Sequence, residues 1–357
     1  MKNEERAVFA LRSLYRAYGY LPFKMSKFEE YDLYVRNKDF LVGNNVITFN
    51  DTDGRLLAMK PDVTLSIIKN IPLSQTQKEK VYYNENVYRV SAKTHRFKET
   101  SQAGLECIGD IDVLDVFEVV YLAAKSLSLV SADFALDISH MGILSSILDS
   151  VTDSESFKKK FTKLISEKNK HEAQALIDEE GLSEHKKKLL SLLDMYGDME
   201  DVLTRLAPLC EDGGAHEAYL ELSTLASLLL KTELRDRIKI DFSVVNNMKY
   251  YNGIVFKGFL SGIFEGVLSG GEYGKLISRM GREGGAVGFA MYLDLLEELD
   301  TAKAPEFDVD TLLLYTEDSE AALVLQKREE LIENGESVYT SKTVPEGIRY
   351  KKIIKIG

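Results

Sequence analysis

Two carboxylates occupy positions that demand a partner. Glu106 lies between Leu105 and Cys107 in an apolar, strand-like run, and a carboxylate withdrawn from water in such a run needs a donor or a counter-charge. Asp62 closes Lys60-Pro61-Asp62 ahead of Val63-Thr64, where a short acidic side chain caps a helix whose buried face starts at Leu65 and Ile68. Tyr250, Tyr251 and Tyr273 follow downstream; by residue type alone they are sheet aromatics as readily as ligand contacts. Generic catalytic templates fail. Gly270-Gly271-Glu272-Tyr273-Gly274-Lys275-Leu276 has the glycines of a phosphate loop without its spacing, and Leu276 stands where a Mg²⁺-binding hydroxyl belongs. The five histidines form no HExxH, and neither a G-x-S-x-G elbow nor a dinucleotide fingerprint is present.

The elements that must hold these residues can be read from periodicity. Val8, Leu11, Leu14, Tyr15 and Tyr18 recur at helical spacing over residues 4–18, with Gly19 placed to end the helix. Val46–Met59 reads as a hairpin around the turn formers Asn50-Asp51-Thr52-Asp53-Gly54. A helix is predicted after Asp112 with Leu114, Phe117, Val120 and Tyr121 inward. Residues 150–234 alternate leucine-rich and charged segments broken by Gly181, Gly197 and Gly213-Gly214, a helical block. Ile238, Ile240, Phe242 and Val244 alternate as a half-buried strand, strand-like pieces continue at Tyr250–Phe259 and Gly266–Leu268, and a helix is predicted at about 285–299. After Pro305 the order is strand (Thr311–Tyr315), helix (Ser319–Asn334), strand (Ser337–Tyr339), strand (Lys352–Ile356). The expected architecture is α+β: an antiparallel sheet with flanking helices and a helical insertion in a core of residues 1–303, then a small C-terminal α/β module at 304–357.

Composition narrows the function classes. A chain of 357 residues suggests two domains or three, and 45% hydrophobic with 29% charged residues is globular. No stretch approaches the roughly 18 apolar residues of a membrane helix, and the acidic N-terminal segment does not read as a signal peptide. Two cysteines, Cys107 and Cys210, exclude a disulfide framework and a CxxC metal site, and point to buried thiols in a reducing, cytoplasmic compartment. A formal net charge of −12 leans against a nucleic-acid partner, whose phosphates call for a basic face.

Three segments, in order, resemble the class II aminoacyl-tRNA synthetases, and specifically histidyl-tRNA synthetase. Lys60-Pro61-Asp62-Val63-Thr64 is similar to that family's R-P-E-x-T. Val87-Tyr88-Arg89 with Arg96 to Glu106 resembles motif 2, and Asn246 to Phe256 resembles the histidine-specific R-G-x-x-Y-Y-x-x-x-V-F, continuing through Ser269-Gly270-Gly271-Glu272-Tyr273 to Ala286–Met291. The resemblance implies a histidine-type pocket. In it Asp62, Thr64 and Gln102 would hold an ammonium, and Glu106, Tyr251 and Tyr273, with Tyr250 beside them, would read an imidazole. Arg89 would be left as an anion contact.

The departures matter as much. Ser91 replaces the motif 2 acid, Leu295 the motif 3 arginine, Tyr292 a motif 3 glycine, Asn246 the catalytic arginine, and Ser26 the motif 1 proline. Adenylation needs fixed cations on the phosphates, so the pocket is expected to bind without activating. Broken motifs, a tail short for an anticodon-binding domain, and Ile138-Ser139-His140-Met141-Gly142 resemble the regulatory subunit of ATP phosphoribosyltransferase. That resemblance implies a homodimer within a hetero-oligomer containing a short-form catalytic subunit, and histidine feedback in the first step of histidine biosynthesis. Asn246 weakens the expectation that histidine still binds. No catalytic residue, cofactor, metal, membrane or tRNA partner is implied. The alternatives are a synthetase paralogue with another binding role and an active histidine–tRNA ligase. Histidine-dependent exchange of pyrophosphate into ATP is expected to stay at background with the pure protein; robust exchange would restore the ligase reading.

Overall fold

In this computed structural model, residues 3–37, 46–71, 78–90, 96–245, 251–299, 306–317 and 319–357 are described, and they form two compact units, Met1–Glu298 and Leu299–Gly357. The larger unit contains strands β1 (Leu21–Pro22), β2 (Phe28–Glu30), β3 (Thr48–Asn50), β4 (Leu56–Met59), β5 (Glu79–Val90), β6 (Phe97–Gly109), β7 (Phe134–His140), β8 (Tyr196–Gly197), β9 (Ile238–Asp241), β10 (Ile254–Leu260), β11 (Leu268–Glu272) and β12 (Gly285–Tyr292). Its helices are α1 (Asn3–Ala17), α2 (Tyr31–Arg36), α3 (Val63–Asn70), α4 (Val113–Val130), α5 (Met141–Asp149), α6 (Glu155–Ser166), α7 (Lys170–Glu179), α8 (Lys186–Leu192), α9 (Met199–Leu206), α10 (Gly213–Leu229) and α11 (Gly274–Arg279). The smaller unit has β13 (Val309–Tyr315), α12 (Ala321–Glu333), β14 (Val338–Ser341) and β15 (Tyr350–Ile356), its strands parallel in the order β14-β13-β15.

A nine-stranded sheet, ordered β1-β5-β6-β12-β11-β10-β7-β9-β8, organises the larger unit. Its central pairings are antiparallel, while β1 with β5 and β7 with β9 are parallel. Side chains alternate across a strand, so the register divides the residues between two faces. Leu105 and Cys107 of β6, Val287 and Phe289 of β12 and Leu136 and Ile138 of β7 turn to one face and are fully or almost fully buried. There α1 reaches Phe289 through Tyr15, ring centroids 6.0 Å apart, and α4 inserts Leu127 beside Gly258. The opposite face carries Tyr83, Arg89, Gln102, Glu106, Tyr292, Ser269 and Lys257. One end of it is covered by α3 and α11, through Leu65, Ile68, Leu276 and Ile277.

Local signals explain most elements. The end of α1 is a Schellman motif: Tyr20 N–H donates to the Tyr15 carbonyl, Gly19 N–H to that of Arg16, and Gly19 takes φ +83°. The β3–β4 hairpin turns on Asp51, whose Oδ1 accepts from Asp53 and Arg55 N–H at 2.9 and 3.0 Å. Asp112 and Asp115 form a capping box on α4. The 150–234 block is helical, apart from β8 and short 3₁₀ turns. Cys107 and Cys210 are buried thiols, and no helix among the described residues is long and apolar enough to cross a membrane.

Four sequence expectations are corrected. Residues 285–292 are a strand, not the start of a helix, and Leu293–Leu299 continues as a 3₁₀ turn. The Ala-Val-Gly-Phe-Ala-Met run is apolar without period, and pairing with β6 and β11 on both sides decided its state. Leu114 is 61% exposed; α4 is apolar nearly all round, so spacing could not select its buried face, and Val116, Val119 and Ala123 point inward instead. The strand after the helical block stops at Asp241, leaving Phe242 and Val244 buried in a turn. The strand expected at Gly266–Leu268 begins instead at Leu268.

One buried charge fixes the approach of β4 to β5. The Lys60 side chain is wholly buried, and its ammonium donates to Glu85 Oε2 at 2.8 Å. Lys60 N–H donates to Lys27 and its carbonyl accepts from Tyr88, both at 2.9 Å. Burial lowers the Lys60 pKa, and Glu85 opposes that shift. Removing one partner of a buried pair leaves an uncompensated charge, so Glu85→Ala is expected to cost about 3 kcal/mol in urea unfolding. Adding Lys60→Met to that variant should recover most of the loss.

Candidate functional site

The site is built on a floor of glycines. Gly288 of β12 pairs with Gly271 of β11 on one side and with Glu106 of β6 on the other, and Gly104 lies on the same face of β6, two residues before Glu106. A Cβ at Gly288 would lie 1.7 Å from Glu106 Oε2, one at Gly104 2.5 Å from the Tyr83 hydroxyl, and one at Gly271 2.8 Å from the Tyr251 ring. Hydrogen atoms at these three positions let Glu106, Tyr83 and Tyr251 lie across the sheet. The Tyr83 hydroxyl itself donates to the Phe289 carbonyl at 3.3 Å.

Glu106 is the hub. Its carboxyl is buried, with 2% exposure, and accepts from the Thr64 hydroxyl at 2.8 Å on Oε1 and from the Tyr273 hydroxyl at 2.5 Å on Oε2. Three elements converge here: the first turn of α3 supplies Thr64, β6 supplies Glu106, and the turn into α11 supplies Tyr273. Burial pushes the Glu106 pKa up to about 8, outweighing the two hydroxyl donors, and the nearby Asp62 charge adds to the rise. Thr64 therefore holds Glu106 in this structure.

Asp62 caps α3, its Oδ1 accepting from Leu65 N–H at 2.9 Å. Burial raises its pKa, and the Leu65 N–H and the Arg89 charge draw it back. Arg89 donates from Nε to the Pro61 carbonyl at 2.8 Å, which keeps its guanidinium beside the cap. Gln102, 4% exposed, shares the face of β6 with Gly104 and Glu106. The structure thus groups Asp62, Thr64, Glu106, Tyr251 and Tyr273, with Gln102 and Arg89 at the margin. Tyr250, Asn246 and Ser91 lie outside the described residues.

Two members of the group were not assigned as contacts from sequence. Tyr83 is buried over Gly104, and burial together with the Glu106 and Asp62 charges raises its pKa. The alternation Val81, Tyr83, Glu85, Val87, Arg89 was the available signal, since Arg89 was already placed. Tyr292 stands opposite Gln102 in register, and the groups that act on its hydroxyl include Arg89, Asp62 and Ser269. It was read only as a lost glycine. Leu295 lies in the 3₁₀ turn after β12, so no cation enters the site from there.

His140 and Gly142 form a separate tie. His140 Nδ1 accepts from Gly142 N–H at 3.1 Å, capping α5, which leaves the proton on Nε2 to donate to Glu221 of α10 at 2.9 Å. This joins the sheet to the helical block. Among the described residues no cluster of His, Cys, Asp and Glu suits a metal ion. The central group presents acidic and phenolic acceptors to a cationic or dipolar ligand and a single guanidinium to an anion. Such a set can bind an amino acid.

The chain is similar to known proteins over most of its length. Residues 1–296 match the family described as histidyl-tRNA synthetase. An ATP phosphoribosyltransferase regulatory subunit from Oceanobacillus iheyensis is 29% identical over 295 residues, covering 82% of this chain and 72% of the relative. A solved structure from Bacillus halodurans C, described as an ATP phosphoribosyltransferase regulatory subunit/histidyl-tRNA synthetase, superposes with TM-score 0.86 at 23% identity, covering 99% of this chain and 94% of that one. A chain of an ATP phosphoribosyl transferase complex from Thermotoga maritima gives TM-score 0.62 at 21% identity, covering 81% and 97%.

The raised Glu106 pKa has a sign that can be measured. The folded chain keeps this carboxyl protonated where the unfolded chain has released the proton, so stability falls as pH rises from the ordinary carboxylate range through about 8. Glu106→Gln is expected to flatten that decline in urea midpoints recorded across this range. An unchanged slope would assign the dependence to other groups.

Proposed function

Because this chain belongs to the histidyl-tRNA synthetase family, we propose that it is a non-catalytic member, the regulatory subunit that activates a short-form ATP phosphoribosyltransferase catalytic subunit and contributes to histidine feedback. The observation that carries the reading is a ligand-shaped centre kept without its chemistry. Glu106, Thr64 and Tyr273 are joined by hydrogen bonds over a glycine floor, while Tyr292 and Leu295 stand where the family's nucleotide-handling residues belong. The names of the relatives support it, as does the fold shared with a chain of a phosphoribosyltransferase complex.

In this reading histidine places its ammonium toward Asp62 and Gln102, its ring toward Glu106, Tyr251 and Tyr273, and its carboxylate on the Arg89 side. A homodimer is the minimal unit, the partner is the catalytic subunit and not tRNA, and the compartment is the cytoplasm. Feedback needs only a difference in histidine affinity between two states of the assembly, typically a coupling of about 1–3 kcal/mol.

The test mixes the pure chain with a short catalytic subunit. Activity is expected to exceed that of the catalytic subunit alone, and its absence would sink the assignment. Glu106→Ala, which leaves buried donors unpaired, should raise the inhibitory histidine concentration at least about tenfold while activation persists. Activation with unaltered inhibition would keep the partner and discard the pocket. Light scattering should find a dimer at micromolar concentration; a stable monomer would remove that part of the proposal.

A further inference from the structure

The ligand face continues beyond Gly288 and Gly271 toward β10, β7 and β9. There it holds a cavity of about 620 Å³, bordered by Asp137, Asp241, Lys257, Ser269 and Tyr292. Tyr292 belongs to both compartments. On one side it faces Gln102 in register, and the charges of Arg89 and Asp62 act on its hydroxyl. On the other it lines the cavity together with Ser269, which acts on its hydroxyl. Its backbone is held too, Tyr292 N–H donating to the Val267 carbonyl at 2.8 Å. Arg89 is the cation that acts on Tyr292 from the first side, and on the other side Asp137 and Asp241 line the cavity together with Lys257. A ligand carboxylate in the pocket is drawn to the Arg89 guanidinium.

We propose that the Tyr292 ring is the wall closing the ligand pocket at the ligand's carboxylate end, so that the pocket takes an amino acid with a free α-carboxylate and rejects one whose carboxyl carries a bulky group. The inference rests on the amino-acid reading above, because only that reading places the carboxylate beside Arg89 and Tyr292. Any group attached there must pass across the ring to reach the cavity. Cutting the side chain back to a methyl group joins the two compartments.

Calorimetric titration of the full chain with L-histidine and with L-histidine β-naphthylamide tests this. The unmodified protein is expected to bind the free amino acid at least about tenfold more tightly than the amide, and Tyr292→Ala to bring the two within about threefold. Tyr292→Phe, which keeps the ring, should retain the discrimination; Tyr292→Leu replaces the alanine variant should that one fail to fold. Equal binding of both ligands by the unmodified protein would overturn the wall and leave the amino-acid pocket standing. So would a truncated variant that still binds histidine and still rejects the amide. Binding of neither ligand by the unmodified protein would remove the pocket reading and the wall together.

Discussion

The structure around the ligand face depends on one buried carboxyl. Glu106 has left water, and among the described residues the cost is offset by hydroxyls delivered from two other elements, Thr64 from α3 and Tyr273 from the turn into α11. That requirement constrains its surroundings. The residue opposite on β12 must be glycine, α3 must start where Asp62 can cap it, and β11 must end where Tyr273 can turn back over the sheet. The Lys60–Glu85 pair performs a related task at the entry to α3, holding β4 to β5 so that Pro61 and Asp62 meet Arg89.

The same face explains how a synthetase-like centre can remain folded without its reaction. In the proposed pocket the acceptors for an ammonium and a ring are groups that also stabilise the fold: a helix cap, a buried acid, phenols on a sheet. Phosphate chemistry needs cations held in water-excluded positions, which add little to folding and cost desolvation. Loss of the second set therefore leaves the first intact. Tyr292 and Leu295 show the substitution in physical terms, a ring and an aliphatic chain where the family uses close backbone approach and charge.

Much of the fold was legible. Helix caps at Asp62 and Asp112, the Gly19 stop, the hairpin around Asp51 and the helical block all follow from local chemistry, which acts over a few residues and leaves a clear pattern. Of the proposed site, the sequence picked out Glu106 within an apolar run and the ordered family segments, and the structure brings Asp62, Thr64 and Tyr273 to it. Tyr83 was missed, since its place above Gly104 depends on the pairing of β5 with β6. The expected helix over 285–299 failed for the same reason: an apolar run without period takes its state from its neighbours.

By itself the sequence determined the class of fold and the likeness to the synthetase family, since residue type and order decide both. Only the tertiary structure decided which face of α4 is buried, that Thr64 belongs with Glu106, that glycines 104, 271 and 288 form one floor, and that Tyr292 stands between two compartments. Each of those depends on strand register, and register brings together residues more than a hundred positions apart through backbone hydrogen bonds that no local spacing encodes.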